Sequence, residues 1–283
     1  MSFATGLKTI VVATDLHGQS EAALEYARKI AAHYQARIVL AHGTDPMEYA
    51  AVGGLPANIL DTLPGEARAA LERMTSSLLR EGIPSHSEVR QGAVAQMLVD
   101  VARQYEAGLI VIGTKGHEGA GPVVVGAIAE QLVRMSSCSV MAVAADWNAG
   151  PFRPTPGGPV MLAMESNNAT AEAVADAISL ARTFNRPLLL VHAISTTQPD
   201  PCATTAADYG IESSAGLTVH CIAKKGAPAE AIAEAIAQYH PCILVAGVKR
   251  ASETPGPHGT AFHLLASSRV PVLCVPPGLA TGV

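Results

Sequence analysis

The amino-acid sequence predicts an α/β chain made of two doubly wound, five-stranded parallel-sheet domains. Three observations predict it. Short apolar runs alternate with longer amphipathic ones, the pattern of parallel strands covered on both faces by helices. The pattern occurs twice within 283 residues, a length that accommodates two ordinary domains. The two copies also share sequence. Val39-Leu40-Ala41-His42 returns as Leu189-Leu190-Val191-His192, Gly92-Ala93 as Gly226-Ala227, Gln104-Tyr105 as Gln238-Tyr239, and Gly113-x-Lys115 as Gly247-x-Lys249.

The first copy opens on the apolar run Ile10–Ala13, expected as a strand over 8–14. Ala23, Ala27, Ile30 and Ala31 then fall at helical spacing, which predicts a helix over 19–34. Val39-Leu40-Ala41 centres a strand over 37–43, and the next amphipathic stretch a helix over 56–81. A strand over 85–90 and a helix over 93–105 follow. The wholly apolar Leu109–Ile112 predicts a strand over 109–113, then a helix over 124–136 and a last strand over 139–145. Trp147 to Gly158 is rich in Pro and Gly and reads as a linker, so the domains are expected at 1–147 and 158–283.

The second copy is expected to place strands near 160–165, 187–193, 217–223, 242–247 and 271–275. The offset between matching motifs falls from 150 at the second strand to 134 at the third, so the second copy has lost about 16 residues there. The long helix is replaced by Thr196–Gly216, which contains Pro199, Pro201 and Gly210 and reads as a loop or one short helix.

Composition excludes several classes of function. The net charge is −5 with no basic run, which gives nucleic-acid binding little support, and aromatics at 4% leave few stacking platforms for bases. No apolar run reaches the ~18 residues of a membrane span. Met1–Lys8 lacks the basic-then-apolar pattern of a secretory signal. Five cysteines are scattered without CxxC spacing, and Cys138, Cys242 and Cys274, beside apolar strands, are expected as buried thiols. A soluble, reduced, cytoplasmic protein is the expectation. The 49% hydrophobic fraction against 15% charged points to a large core, with a homodimer as a further expectation.

The stretch after Ile112 carries the chemistry. Gly113, Gly116 and Gly126 follow a buried strand and lead into a helical pattern. Backbone without side chains approaches a phosphate closely and offers it N–H donors, and a helix N-terminus adds partial positive charge. It is not a P-loop, because no Gly-x4-Gly-Lys-Ser/Thr occurs, nor a dinucleotide GxGxxG, which opens the first strand–helix unit of a domain. Taken alone, such glycines also suit an ordinary strand–helix turn. In doubly wound sheets, ligands bind outside the carboxyl ends of strands, and the loops after Ile112 and Thr14 both lie at such ends.

The Gly-x2-Gly-x9-Gly spacing, the opening Ile10-Val11-Val12-Ala13-Thr14-Asp15 and the two five-stranded units resemble a tandem universal stress protein. The resemblance covers nearly the whole chain. It implies Rossmann-like, adenine-nucleotide α-hydrolase-like domains that pair through their last strands as an internal pseudo-dimer. It also implies stress-response regulation and, in many members, binding of ATP, ADP or AMP. By that resemblance Asp15 accepts hydrogen bonds from the ribose or adenine, and Ala13 and Thr14 line the base pocket. Gly43 presents its backbone to the adenine edge. Gly113, Thr114, Lys115, Gly116, Gly126, Ala127 and Ile128 form the phosphate loop. Asp15, beside the phosphates, could hold Mg²⁺. His42 reads as a strand-end packing residue.

The sequence departs from the family at Ala127, where Ser or Thr follows the last glycine. A missing hydroxyl removes one hydrogen bond to a charged group, worth roughly 1.5–3 kcal/mol, or about tenfold to a hundredfold in affinity. ATP binding is therefore expected to be weakened, with a shift toward ADP or AMP. The second copy departs further. Glu165 takes the acidic position, Arg250 replaces the second glycine, and Pro255 and Pro257 stiffen the loop before Gly259-Thr260. His258 and His263 invite a metal site, but unrelated surface histidines are the expectation.

No paired carboxylates at a catalytic spacing and no Gly-x-Ser-x-Gly elbow are present. Three readings follow: a nucleotide-binding regulator with an unknown protein partner, a non-binding scaffold, and a slow ATP hydrolase.

Overall fold

The computed structural model describes residues 3–4, 6–16, 20–44, 57–114, 127–147, 158–165, 170–194, 201–202, 216–248 and 260–278. They fall into two compact units, one built on 1–115 and 126–145, the other containing 146–283.

In the first unit the chain runs β1 (Thr9–Ala13), α1 (Glu21–Tyr34), β2 (Arg37–Thr44), α2 (Ala57–Arg80) and β3 (Ser85–Gln91). It continues through α3 (Val94–Gln104), β4 (Leu109–Thr114), α4 (Ala127–Met135) and β5 (Ser139–Ala144). The strands lie side by side in the order β3-β2-β1-β4-β5, with every pairing within the unit parallel. β1 is central because its β-branched residues Ile10, Val11 and Val12 are stiff and apolar, and all three are fully buried. α1 and α3 bury Ala27, Ile30, Leu98 and Val101 against the sheet. α2 packs along β3 and β2 and sinks Leu71 and Leu78 completely.

β3 is the outer strand and its sequence, Ser-His-Ser-Glu-Val-Arg-Gln, is polar. Charges on an edge blunt it as a template for further pairing. Glu88 accepts a hydrogen bond from the Tyr105 hydroxyl at 2.5 Å and one from Arg90 Nε at 3.4 Å. Burial pushes the Glu88 carboxyl up, but the Tyr105 hydroxyl and the Arg90 guanidinium outweigh it and hold the group below its ordinary value. Burial and the same carboxylate push the Tyr105 hydroxyl up.

The second unit repeats the plan: β6 (Val160–Glu165), α5 (Ala171–Thr183), β7 (Leu188–Ile194), β8 (Val219–Lys225), α6 (Pro228–Tyr239), β9 (Ile243–Gly247), α7 (Thr260–Ser267) and β10 (Val272–Val275). Its order is β10-β9-β6-β7-β8, again parallel throughout. All ten expected strands are present, their ends within two residues of expectation. The β7–β8 connection spans 24 residues against 40 between β2 and β3. Most of Thr196–Gly216, read above as a loop or short helix, lies outside the described residues.

One expectation is corrected. The chain is not wholly reduced, because Cys202 and Cys221 form a disulfide with Cα atoms 5.5 Å apart. Spacing gave no sign of it, since the two meet only once β8 is laid beside β7. Cys138, Cys242 and Cys274 are free thiols, as expected, but only Cys274 is fully buried, Cys138 and Cys242 being half-buried at the sheet margin. Among the described residues no helix is long and apolar enough to cross a membrane.

Candidate functional site

The sheet of the first unit reverses its winding between β1 and β4, so their carboxyl ends open the crevice where α/β sheets take ligands. β2 flanks β1 on the other side. Continued by one or two residues, the β1–β2 and β1–β4 registers place Thr14 beside His42 and Gly113, with Gly43 one residue further along β2. The topology thus brings Ala13, Thr14, Asp15, Gly43, Gly113 and Thr114 to one end of the sheet. Ala127 begins α4, and Ile128 on the same helix is 36% exposed. Lys115, Gly116 and Gly126 lie outside the described residues.

A directional hydrogen-bond chain organises this end. Ser20 Oγ donates to Asp15 Oδ1 at 2.6 Å, and Thr14 Oγ1 lies 3.0 Å from Ser20 Oγ. The single Ser20 proton is committed to the carboxylate, so the Thr14 hydroxyl must donate to Ser20. Thr14 Oγ1 in turn accepts from the Leu16 N–H at 3.0 Å. The order is Leu16 N–H, Thr14 hydroxyl, Ser20 hydroxyl, Asp15 carboxylate. Each link polarises the next, and the chain ends on the exposed carboxylate while Thr14 and Ser20 are buried.

The backbone agrees with this reading. Five described non-glycine residues have positive φ, and Gln35, Glu106, Asn185 and His240 all follow helix ends, where the left-handed conformation is a common cap. Leu16, at φ 62°, instead sits in the β1–α1 turn. A branched apolar residue is costly there, and such strain gathers at functional sites. Here it aims the Leu16 N–H at Thr14.

Two contributors escaped the sequence reading. Ser20 precedes α1, where a serine ordinarily caps the helix, yet its side chain makes no cap bond and serves Asp15 instead. His42 does more than pack. Its Nδ1 lies 2.8 Å from the Thr14 carbonyl, which fixes that nitrogen as the donor and clamps the end of β1 to β2. A serine before a helix and a histidine ending a strand are signals, but only the closed turn shows their use.

Gly43 has a packing reason as well. A Cβ there would lie 2.7 Å from Met97 Cε and 3.1 Å from Val94 Cγ2, so its lack of a side chain lets the start of α3 come close.

Among the described residues of the second unit this arrangement does not recur. Met164 pairs with His192 as Thr14 is placed beside His42, so a buried thioether stands where the first unit has its hydroxyl. Thr170, the counterpart of Ser20, accepts from the Ala173 N–H at 3.2 Å and so caps α5 in the ordinary way. Gly247, the counterpart of Gly113, sits with its Cβ position 3.5 Å from Thr170 N. The position of Glu165 ends β6. Among the described residues no group of three or more His, Cys, Asp or Glu side chains is placed to hold a metal, and His220, His240 and His263 are separately exposed.

Comparison with known proteins fits this geometry. The family model described as the universal stress protein family matches residues 6–144, the stretch that holds the candidate site. A universal stress protein of Methanocaldococcus jannaschii is 30% identical over 141 residues, which is 48% of this chain and 81% of that protein. The chain belongs to the universal stress protein family. Universal stress protein A homolog 1 of Coxiella burnetii is 29% identical over 141 residues, covering 48% of this chain and 95% of that one. A crystal structure of a universal stress protein from Archaeoglobus fulgidus covers 95% of this chain and 98% of its own, with a TM-score of 0.76 at 16% identity. That likeness carries the universal stress protein fold across both units.

Proposed function

We propose that the first unit of this universal stress protein binds an adenine nucleotide and that the chain acts as a cytoplasmic stress-response regulator, with no catalytic role. The observation that carries the reading is the Leu16–Thr14–Ser20–Asp15 chain, which holds a carboxylate at the switch point of the sheet. A carboxylate with one oxygen anchored is oriented to accept from a ribose or an adenine amino group. Gly43 and Gly113 stand at the neighbouring strand ends with backbone alone, so the residues present fit the group. Lys115, Gly116, Gly126 and the N-terminus of α4 are the expected phosphate partners. A nucleotide would supply charge and a state to be read by a protein partner, and Asp15 is the side chain proposed to accompany any Mg²⁺.

The second unit is proposed to be structural, since with Met164 and the ordinary Thr170 cap no equivalent hydroxyl chain forms among the described residues. Ala127 favours the rival reading, a scaffold that binds no nucleotide. Mass spectrometry of the supernatant from freshly purified, denatured protein tests both. About one ATP, ADP or AMP per chain supports the first reading. None, together with no binding of added ATP, ADP or AMP, supports the scaffold.

A further inference from the structure

The connection that leads to the outer strand differs between the two units. In the first unit α2 lies along β3, and Ser85 Oγ at the start of that strand donates to the Thr75 carbonyl within the helix at 3.1 Å. In the second unit the connection is 16 residues shorter, and a covalent link from Cys202 to Cys221 joins it to the outer strand β8. Cys221 pairs with Leu190 in the register where Ser87 pairs with Leu40, so the bridge attaches to the middle of the strand.

The cysteines divide into two kinds. Cys138, Cys242 and Cys274 lie at the sheet, where burial pushes their thiols up, to about 11 for Cys242 and about 12 for Cys274. Such thiols are poor partners in exchange, because the thiolate is the reactive form. Cys202 and Cys221 are half-buried, as Cys138 and Cys242 are, and differ from them in facing each other across a bond. In a reducing compartment a partly exposed disulfide is a regulatory element more often than a permanent one.

We propose that Cys202 and Cys221 form a reversible thiol–disulfide site, which staples the shortened β7–β8 connection to strand β8. The reaction partner is a thiol–disulfide couple of the glutathione class. In the reductive direction an external thiolate attacks one cysteine sulfur, the S–S bond breaks, and the other cysteine leaves as a thiolate that takes up a proton. A second external thiol then displaces the first from the mixed disulfide. The protein gains two electrons and two protons, and two external thiols become one external disulfide.

The test uses the full chain purified without reductant. Alkylation and digestion under non-reducing conditions are expected to yield a peptide containing Cys202 linked to one containing Cys221. Titration of the native protein with reduced and oxidised glutathione is expected to open and reclose two alkylatable thiols per chain, with the far-ultraviolet circular dichroism unchanged. On reduction the amides of 219–225 lose protection from hydrogen exchange, while those of 85–91 under α2 do not. Cys202→Ser is expected to behave as the reduced form in every glutathione mixture, and Cys138→Ser as the parent. The wild-type titration decides the matter even where a variant fails to fold. Absence of the linked peptide under oxidised glutathione, reduction only together with loss of secondary structure, or unchanged exchange at 219–225 would each overturn the proposal.

Discussion

Ser20 Oγ stands 2.6 Å from Asp15 Oδ1, so the hydroxyl that heads α1 is used to orient a carboxylate and not to cap the helix. That exchange gives up part of a cap, worth about 1 kcal/mol in other helices. It is intelligible if the position of the carboxylate matters more than the helix end. Ser20→Ala is expected to weaken adenine-nucleotide binding about tenfold, the loss of one charge-assisted hydrogen bond that holds the acceptor in place. Isothermal titration of variant and parent checks this. Equal affinities in two well-folded proteins would detach Asp15 from the ligand.

Ala127→Ser restores a hydroxyl at the first residue of α4. Affinity for ATP is expected to rise about tenfold or more, with AMP little changed, because the added donor reaches only the outer phosphates. The informative quantity is the ratio of the two affinities. A ratio that does not move would remove the phosphate role assigned to this position.

Gly43→Ala brings a Cβ against Met97 Cε at 2.7 Å. Overpacking of this kind costs about 1 kcal/mol or more, although the methionine tip can bend away. Met97→Leu removes the crowded atom at nearly constant volume. A double-mutant cycle read by urea unfolding should show a favourable coupling of about 1 kcal/mol. Strict additivity would show that Met97 yields without strain, leaving ligand approach as the reason for the glycine.

Glu88 gives the edge of the first sheet a pH dependence. Its carboxyl is held below the ordinary value of 4.5 in the folded chain, by the Tyr105 hydroxyl and Arg90 against the cost of burial. A depressed acid stabilises the fold above its unfolded value, and that contribution fades as pH falls through the folded value. Tyr105→Phe should therefore lower the melting temperature at pH 7, by the equivalent of about 1 kcal/mol. The gap to the parent should close below about pH 4. Melting curves of both proteins across that range provide the check. A gap that persists in acid would assign the loss to packing of the tyrosine ring.

The repeat, the order of elements and nearly every strand were legible in the sequence. The reason is that a strand buried on both faces, such as Ile10–Ala13 or Leu109–Ile112, must be apolar at every position, whatever surrounds it. β3 and β8 are polar outer strands, and there repetition between copies carried the reading more than hydrophobicity did. The glycines of the crevice and Asp15 could likewise be placed at strand ends from spacing alone.

Tertiary structure decided what spacing cannot carry, which is how groups distant along the chain meet. Ser20 comes within hydrogen-bond reach of Thr14 and Asp15, and the adjoining Leu16 adopts φ 62°, a local geometry that no residue type announces. His42 reaches Thr14 across 28 positions because β2 lies beside β1. Cys202 meets Cys221 because the chain leading out of β7 returns to the outer strand β8. Hydrophobic pattern fixes which segments are buried, but hydrogen bonds and disulfides need atoms within a few ångströms and correctly directed. Only the folded backbone supplies that condition.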